Sequence, residues 1–199
     1  MKLASLIVIF YLVESLNADA QITLRLNNYT SNIKNFKDTT IEALKIVSFI
    51  LSTEEFKESL SKFKFKCTNL HSSRRTECSE LLGPQVYDSL NKFSDTTLDI
   101  IIKKLPLKES IFDPNDQIGK SSYGKFKVTT RSWYLNQTTK SWYASVKYAA
   151  HLAHEYCHIR GYYHINGQKY GEDVAQTVGK IVSKIIMRRL KANEPITHD

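Results

Sequence analysis

The sequence predicts an α+β fold in a single domain. Two observations carry this: segments with an apolar residue at every second position share the chain with longer segments at helical period, and no repeat, low-complexity run or linker divides the 199 residues. An apolar fraction of 42% and a charged fraction of 24% are ordinary for a soluble globular chain. That length accommodates one respectable core and not two.

Residues 1–20 stand apart. Met1-Lys2 is a positive start, Leu3–Val13 is almost unbroken apolar sequence, and Ala18-Asp19-Ala20 has a small-x-small pattern. This is the layout of a secretory signal peptide cleaved near Ala20. The apolar run falls well short of the roughly twenty residues that span a bilayer. A mature domain of 21–199, secreted or periplasmic, is therefore expected.

Gln21–Leu26 alternates Ile22, Leu24 and Leu26 with polar residues and reads as a strand. Thr39 and Glu42 have capping-box spacing ahead of Ile41, Leu44, Val47 and Leu51, which predicts a helix. Ser52 and Glu55 repeat the device before Phe56, Leu60 and Phe63. Pro84 suits the first turn of a third helix with Val86, Leu90 and Phe93. Leu98–Leu105 reads as a buried strand or a short helix, and Phe112–Gly124, with Pro114, Gly119 and Gly124, as loop. Lys125–Thr130 and Ser132–Leu135 are β-prone, and 136–140 is turn-like. Ser141 starts a long helix whose stripe is Val146, Ala149, Ala150, Ala153 and Cys157. Asp173 caps the last helix, with Val174, Val178, Ile181, Val182, Ile185 and Ile186 facing the core. The aromatic group Trp133, Tyr134, Trp142 and Tyr143 is expected to pack helix against sheet.

The formal charge of +8 is scattered along the chain. Nucleic-acid binding needs a concentrated basic stripe, so that class is excluded; a solvated basic surface is the default reading, and a weak attraction to anionic envelope or membrane surfaces is its alternative. In an oxidising compartment Cys67 and Cys78 close a short polar loop and are the natural disulfide, which leaves Cys157 as a small buried helix residue.

The chemistry concentrates in His154-Glu155-Tyr156-Cys157-His158-Ile159-Arg160-Gly161-Tyr162-Tyr163-His164, which holds three of the chain's 6 histidines. His154 and His158 lie one helical turn apart on one face and can converge on a single ion. Gly161 lets the helix stop and the chain reverse through a positive φ, so that His164 arrives as a third ligand. Three neutral nitrogens leave a fourth position open, the arrangement of a catalytic zinc site. Glu155 is then the general base, taking a proton from a zinc-bound water and passing it to the departing amine of a hydrolysed peptide bond.

This segment is the HExxHxxGxxH motif, and through it the sequence resembles the metzincins, zinc peptidases that include astacins and matrixins. In its compactness it is also similar to short exported bacterial proteins of that class. The resemblance implies one zinc ion, a short twisted sheet above the cleft, a backing helix, a motif helix and a C-terminal helix. It also implies an edge strand that pairs with extended substrate, for which Lys125–Thr130 is nominated. The match is firm over Ser141–His164 and looser over Tyr123–Lys191. One feature departs from the family: metzincins carry a methionine turn after the third ligand, whereas Met187 lies inside the last helix. Tyr170, in the turn, is a candidate oxyanion stabiliser, with simple packing as its alternative. The expected activity is that of a monomeric zinc metalloendopeptidase acting on peptides or proteins. The alternative is a secreted zinc-binding interaction protein without turnover.

Overall fold

A computed structural model describes residues 22–32, 35–71, 79–92, 95–103, 119–132, 135, 141–164 and 170–198. Residues 1–20, where a signal peptide is expected, Phe93, Trp133, Tyr134 and residues 136–140 lie outside the described residues, as do Cys78, residues 165–169 and the side chain of Trp142.

The α+β class expected from the sequence is the one observed. The chain forms β1 (Thr23–Ser31), α1 (Lys37–Leu51), α2 (Glu54–Ser61), β2 (Lys64–Phe65), a 3-10 turn (Cys67–Asn69), β3 (Leu81–Leu82), α3 (Gly83–Asn91), β4 (Asp95–Lys103), β5 (Gly119–Ser122), β6 (Lys125–Arg131), α4 (Ser141–Ile159) and α5 (Val174–Lys191). Four strands make one sheet in the order β1-β4-β6-β5, and β2 and β3 make a small second one. Within the larger sheet β1, β4 and β6 run parallel, while β5 runs antiparallel to β6 at the edge.

Alternation along β4 buries Thr96, Leu98, Ile100 and Ile102 and leaves the opposite face open. Helices α1 and α4 cover the buried face. Helix α1 and its C-cap also serve the backbone of β1 and of the residue before it, because the Ser48 hydroxyl accepts from Leu24 N at 2.8 Å and the Ser52 hydroxyl from Ile22 N at 3.0 Å. Helix α4 is the centre of the molecule, with Tyr148, Ala149, Leu152, Ala153, Tyr156 and Cys157 all fully buried. Its far end supports α3: Tyr156 donates its hydroxyl to Leu90 O at 3.0 Å and Arg160 Nε donates to Ser89 O at 2.8 Å, satisfying carbonyls that a helix end leaves unpaired. Helix α5 lays Val174, Val178, Ile181, Val182, Ile185 and Ile186 into the core as its period requires. Gly179 of α5 faces α4 so closely that an added Cβ there would lie 3.3 Å from the Cβ of His154.

Several local expectations are corrected. Helix α1 starts at Lys37, ahead of the Thr39–Glu42 box, because Asn35 Oδ1 accepts from Lys37 N and the buried Phe36 offers its carbonyl to both N and Oγ1 of Thr40. The cap of α2 is Thr53 and not Ser52, whose hydroxyl is already committed to Ile22 N and to Ser48 O. Ser132 and Leu135 are helical and not extended. Most consequential, the segment expected to be loop contains β5. That strand, and not Lys125–Thr130, is the edge of the sheet, since β6 is enclosed between β4 and β5. Gly-Lys-Ser-Ser has little intrinsic strand preference; pairing with β6 makes it a strand.

Candidate metal centre

His154 and His158 sit in the last two turns of α4, which ends at Ile159. Gly161 has the expected left-handed conformation, with φ at +90°. Reversing bonds run from Gly161 N to His158 O and from Tyr162 N to Cys157 O, each 3.0 Å. A left-handed conformation at a residue bearing a Cβ costs about 1–2 kcal/mol. Gly161→Ala is therefore expected to lower unfolding free energy by roughly that amount, measured by denaturant titration of the metal-free protein. An unchanged midpoint would show that the turn tolerates a Cβ.

The returning chain is strapped down by the last residue of the 3-10 turn and the two that follow it. Leu70 pairs antiparallel with Tyr162, Tyr163 N donates to Asn69 O at 2.7 Å, and His71 N donates to Gly161 O at 2.8 Å. The strap directs His164 back over the end of α4.

The three imidazoles meet through the same atom. Nε2 of His154 lies 3.2 Å from Nε2 of His164 and 3.3 Å from Nε2 of His158, and the His158–His164 separation is 3.2 Å. Nitrogens about 2.0–2.1 Å from one tetrahedrally coordinated ion stand roughly 3.3 Å from one another, which is this triangle. The opposite ring nitrogens face acceptors. Nδ1 of His158 donates to Tyr162 O at 2.6 Å, Nδ1 of His164 donates to Asp173 Oδ2 at 2.8 Å, and His154 bonds the backbone of Ala175. With its proton on Nδ1, each ring turns a lone pair inward, so the three could hold a metal ion together. Three lone pairs so close repel one another unless a cation sits among them.

Electrostatics favour the ligating form of two of the rings. Burial and the neighbouring imidazoles push His154 down to about 2, and burial lowers His158, so both stay neutral. His164 moves the other way, raised chiefly by its hydrogen bond to Asp173. Asp173 is 1% exposed and divides its carboxylate: Oδ1 accepts from Gln176 N to cap α5, and Oδ2 orients His164. The cap was legible in the sequence. The second task was not, because nothing in the spacing brings Asp173 to a histidine nine residues upstream.

Glu155, 3% exposed, is raised by burial, which is partly offset by a hydrogen bond from Ser121. Ser121 lies on β5, with its hydroxyl 2.6 Å from Glu155 Oε2, and sequence reasoning missed it because its segment read as loop. His151, one turn before Glu155, has Nδ1 3.9 Å from Glu155 Oε1; burial pushes it down to about 3, so it stays neutral. Cys157 is a free buried thiol donating to Ala153 O at 3.3 Å, with its pKa raised far up by burial. Tyr170 packs edge-on against Phe63, with Lys184 over its ring. Those are contacts to the loop after α2 and to α5, and none of them is to a histidine of the triangle. Met187, 39% exposed, faces outward from α5. Of the expected Cys67–Cys78 disulfide, only Cys67 is among the described residues. No helix among the described residues is long and apolar enough to cross a membrane.

In comparison with known proteins, no family model matches the chain, and no curated protein or solved structure does either.

Proposed function

We propose that this chain is a zinc-dependent metalloendopeptidase of the metzincin kind, exported after cleavage near Ala20 and acting as a monomer on peptide or protein substrates. The observation that carries the reading is the triangle of Nε2 atoms, 3.2–3.3 Å on a side, with the Glu155 carboxylate supplied by the residue after the first histidine. His154, His158 and His164 would hold the ion. A zinc ion held by three imidazoles supplies a Lewis acid for the scissile carbonyl and an acidified water.

The remaining work belongs to the chain. Glu155 takes a proton at its carboxylate and returns it to the leaving nitrogen; burial raises its pKa toward the working range of a general base. The outer edge of β5, last in the sheet order, offers backbone groups to an extended peptide by strand addition. The His164 side chain is 46% exposed, so substrate approaches the ligand cluster from that side. Asp173 holds the His164 ring in its ligating orientation.

Cleavage of a peptide library, with and without a chelator, tests the reading. Chelator-sensitive cleavage supports it. Stoichiometric zinc without cleavage of any peptide points instead to a zinc-stabilised binding protein. Asp173→Asn preserves the α5 cap, since Asn caps as well as Asp, but replaces the carboxylate on His164 by a neutral amide. Zinc affinity is expected to fall roughly 10- to 100-fold, read by competition with a chromophoric chelator. Unchanged affinity would remove Asp173 from the centre.

A further inference from the structure

Resting on the peptidase reading, a second element of the site emerges from β5. We propose that Ser121 is the positioning residue for Glu155: its hydroxyl fixes the carboxylate and couples the substrate-bearing edge strand to the general base.

Three observations support this. The Ser121 hydroxyl faces two acceptors on one residue, Oε2 of Glu155 at 2.6 Å and the Glu155 backbone carbonyl at 2.8 Å. It has a single proton, and a hydroxyl bond to a carboxylate at that length is the stronger, charge-assisted kind. One turn further along α4 the same hairpin is pinned again, because Gly124 N, in the β5–β6 turn, donates to Ile159 O at 3.1 Å. Two bonds from one hairpin thus fall on α4 at Glu155 and Ile159, and only the first ends on a reacting group. On the other side of the carboxylate, His151 Nδ1 stands 3.9 Å from Oε1, beyond hydrogen-bond distance, so Ser121 makes the short contact.

A glutamate side chain has three rotatable bonds, and a base works only within hydrogen-bond reach of the proton it takes. A donor on Oε2 leaves Oε1 free while holding the carboxylate plane. Because that donor belongs to the strand that pairs with the peptide, the scissile bond and the base share one frame. A displaced edge strand misplaces both together.

The test uses the exported, zinc-loaded protein with Ser121→Ala and with Ser121→Thr, which restores the hydroxyl and suits a strand. In Ser121→Ala, kcat is expected to fall about 10-fold or more while KM stays within about 2-fold, with zinc content unchanged; Ser121→Thr should recover most of the loss. A readout independent of turnover is the 13C resonance of the Glu155 carboxylate, assigned by its disappearance in Glu155→Gln. It should shift in Ser121→Ala and return in Ser121→Thr, in metal-free and zinc-loaded protein alike. An active wild type whose Ala variant keeps its kcat, or whose carboxylate resonance does not move, overturns this inference alone. So does a rise in KM at constant kcat that Thr does not rescue, since that marks a residue of the substrate strand only. A wild type that cleaves no peptide overturns the peptidase reading and takes this inference with it.

Discussion

Glu155→Gln is expected to lose peptide cleavage by a factor on the order of 10²–10⁴ while retaining one zinc per chain. The substitution keeps the side chain's shape and leaves an amide oxygen to accept from the Ser121 hydroxyl, so the bond at 2.6 Å has a near equivalent in the variant. What disappears is the capacity to take and return a proton. None of the three Nε2 atoms belongs to this side chain, and their second-nitrogen partners are Tyr162 O, Asp173 and Ala175, so metal content is decoupled from turnover. Measurement of kcat/KM on a cleaved library peptide, beside elemental analysis of the same preparation, checks both halves. Residual activity close to wild type would mean that Glu155 moves no proton. Loss of zinc together with activity would mean that its role is structural.

His158→Ala should remove the metal. It deletes one corner of the nitrogen triangle and also leaves Tyr162 O without its 2.6 Å partner, in a turn that carries His164. The drop in zinc affinity should therefore exceed the roughly 10- to 100-fold expected for an outer partner such as Asp173. Stability reports the same event. A ligand at a thousandfold excess over its Kd stabilises by about 4 kcal/mol, which for a chain of this size is on the order of 10 °C in Tm. Wild-type protein with excess zinc should lose that increment on adding a chelator, whereas His158→Ala should melt at the same temperature with or without it. A chelator-sensitive melt in the variant would show that another set of residues holds the ion.

Where the sequence was informative, it was so through local physics. The α5 stripe from Val174 to Ile186, the Asp173 cap and the positive φ of Gly161 each follow from period, side-chain chemistry or steric freedom within a few residues. The limits were equally physical. Ser52 and Thr53 are both able to cap α2, and the choice fell to Thr53 because Ile22, thirty residues upstream and immediately before β1, had claimed the Ser52 hydroxyl. Residues 119–122 carry no strand signal of their own and become one by bonding to β6, which moved the sheet edge from the nominated Lys125–Thr130 to β5. Ser121 was invisible for the same reason.

Taken alone, the amino-acid order determined the α+β class and the three histidines that converge, because one helical turn and a glycine reversal act over eleven positions. It also singled out Glu155, by its place beside the first of them. Tertiary structure alone decided which strand ends the sheet beside Glu155, that Asp173 grips His164 as well as α5, and that Ser121 reaches Glu155 across 34 positions. Those contacts depend on β5 adding to β6 and on α5 packing against α4 at Gly179, closures between distant segments that no local period encodes.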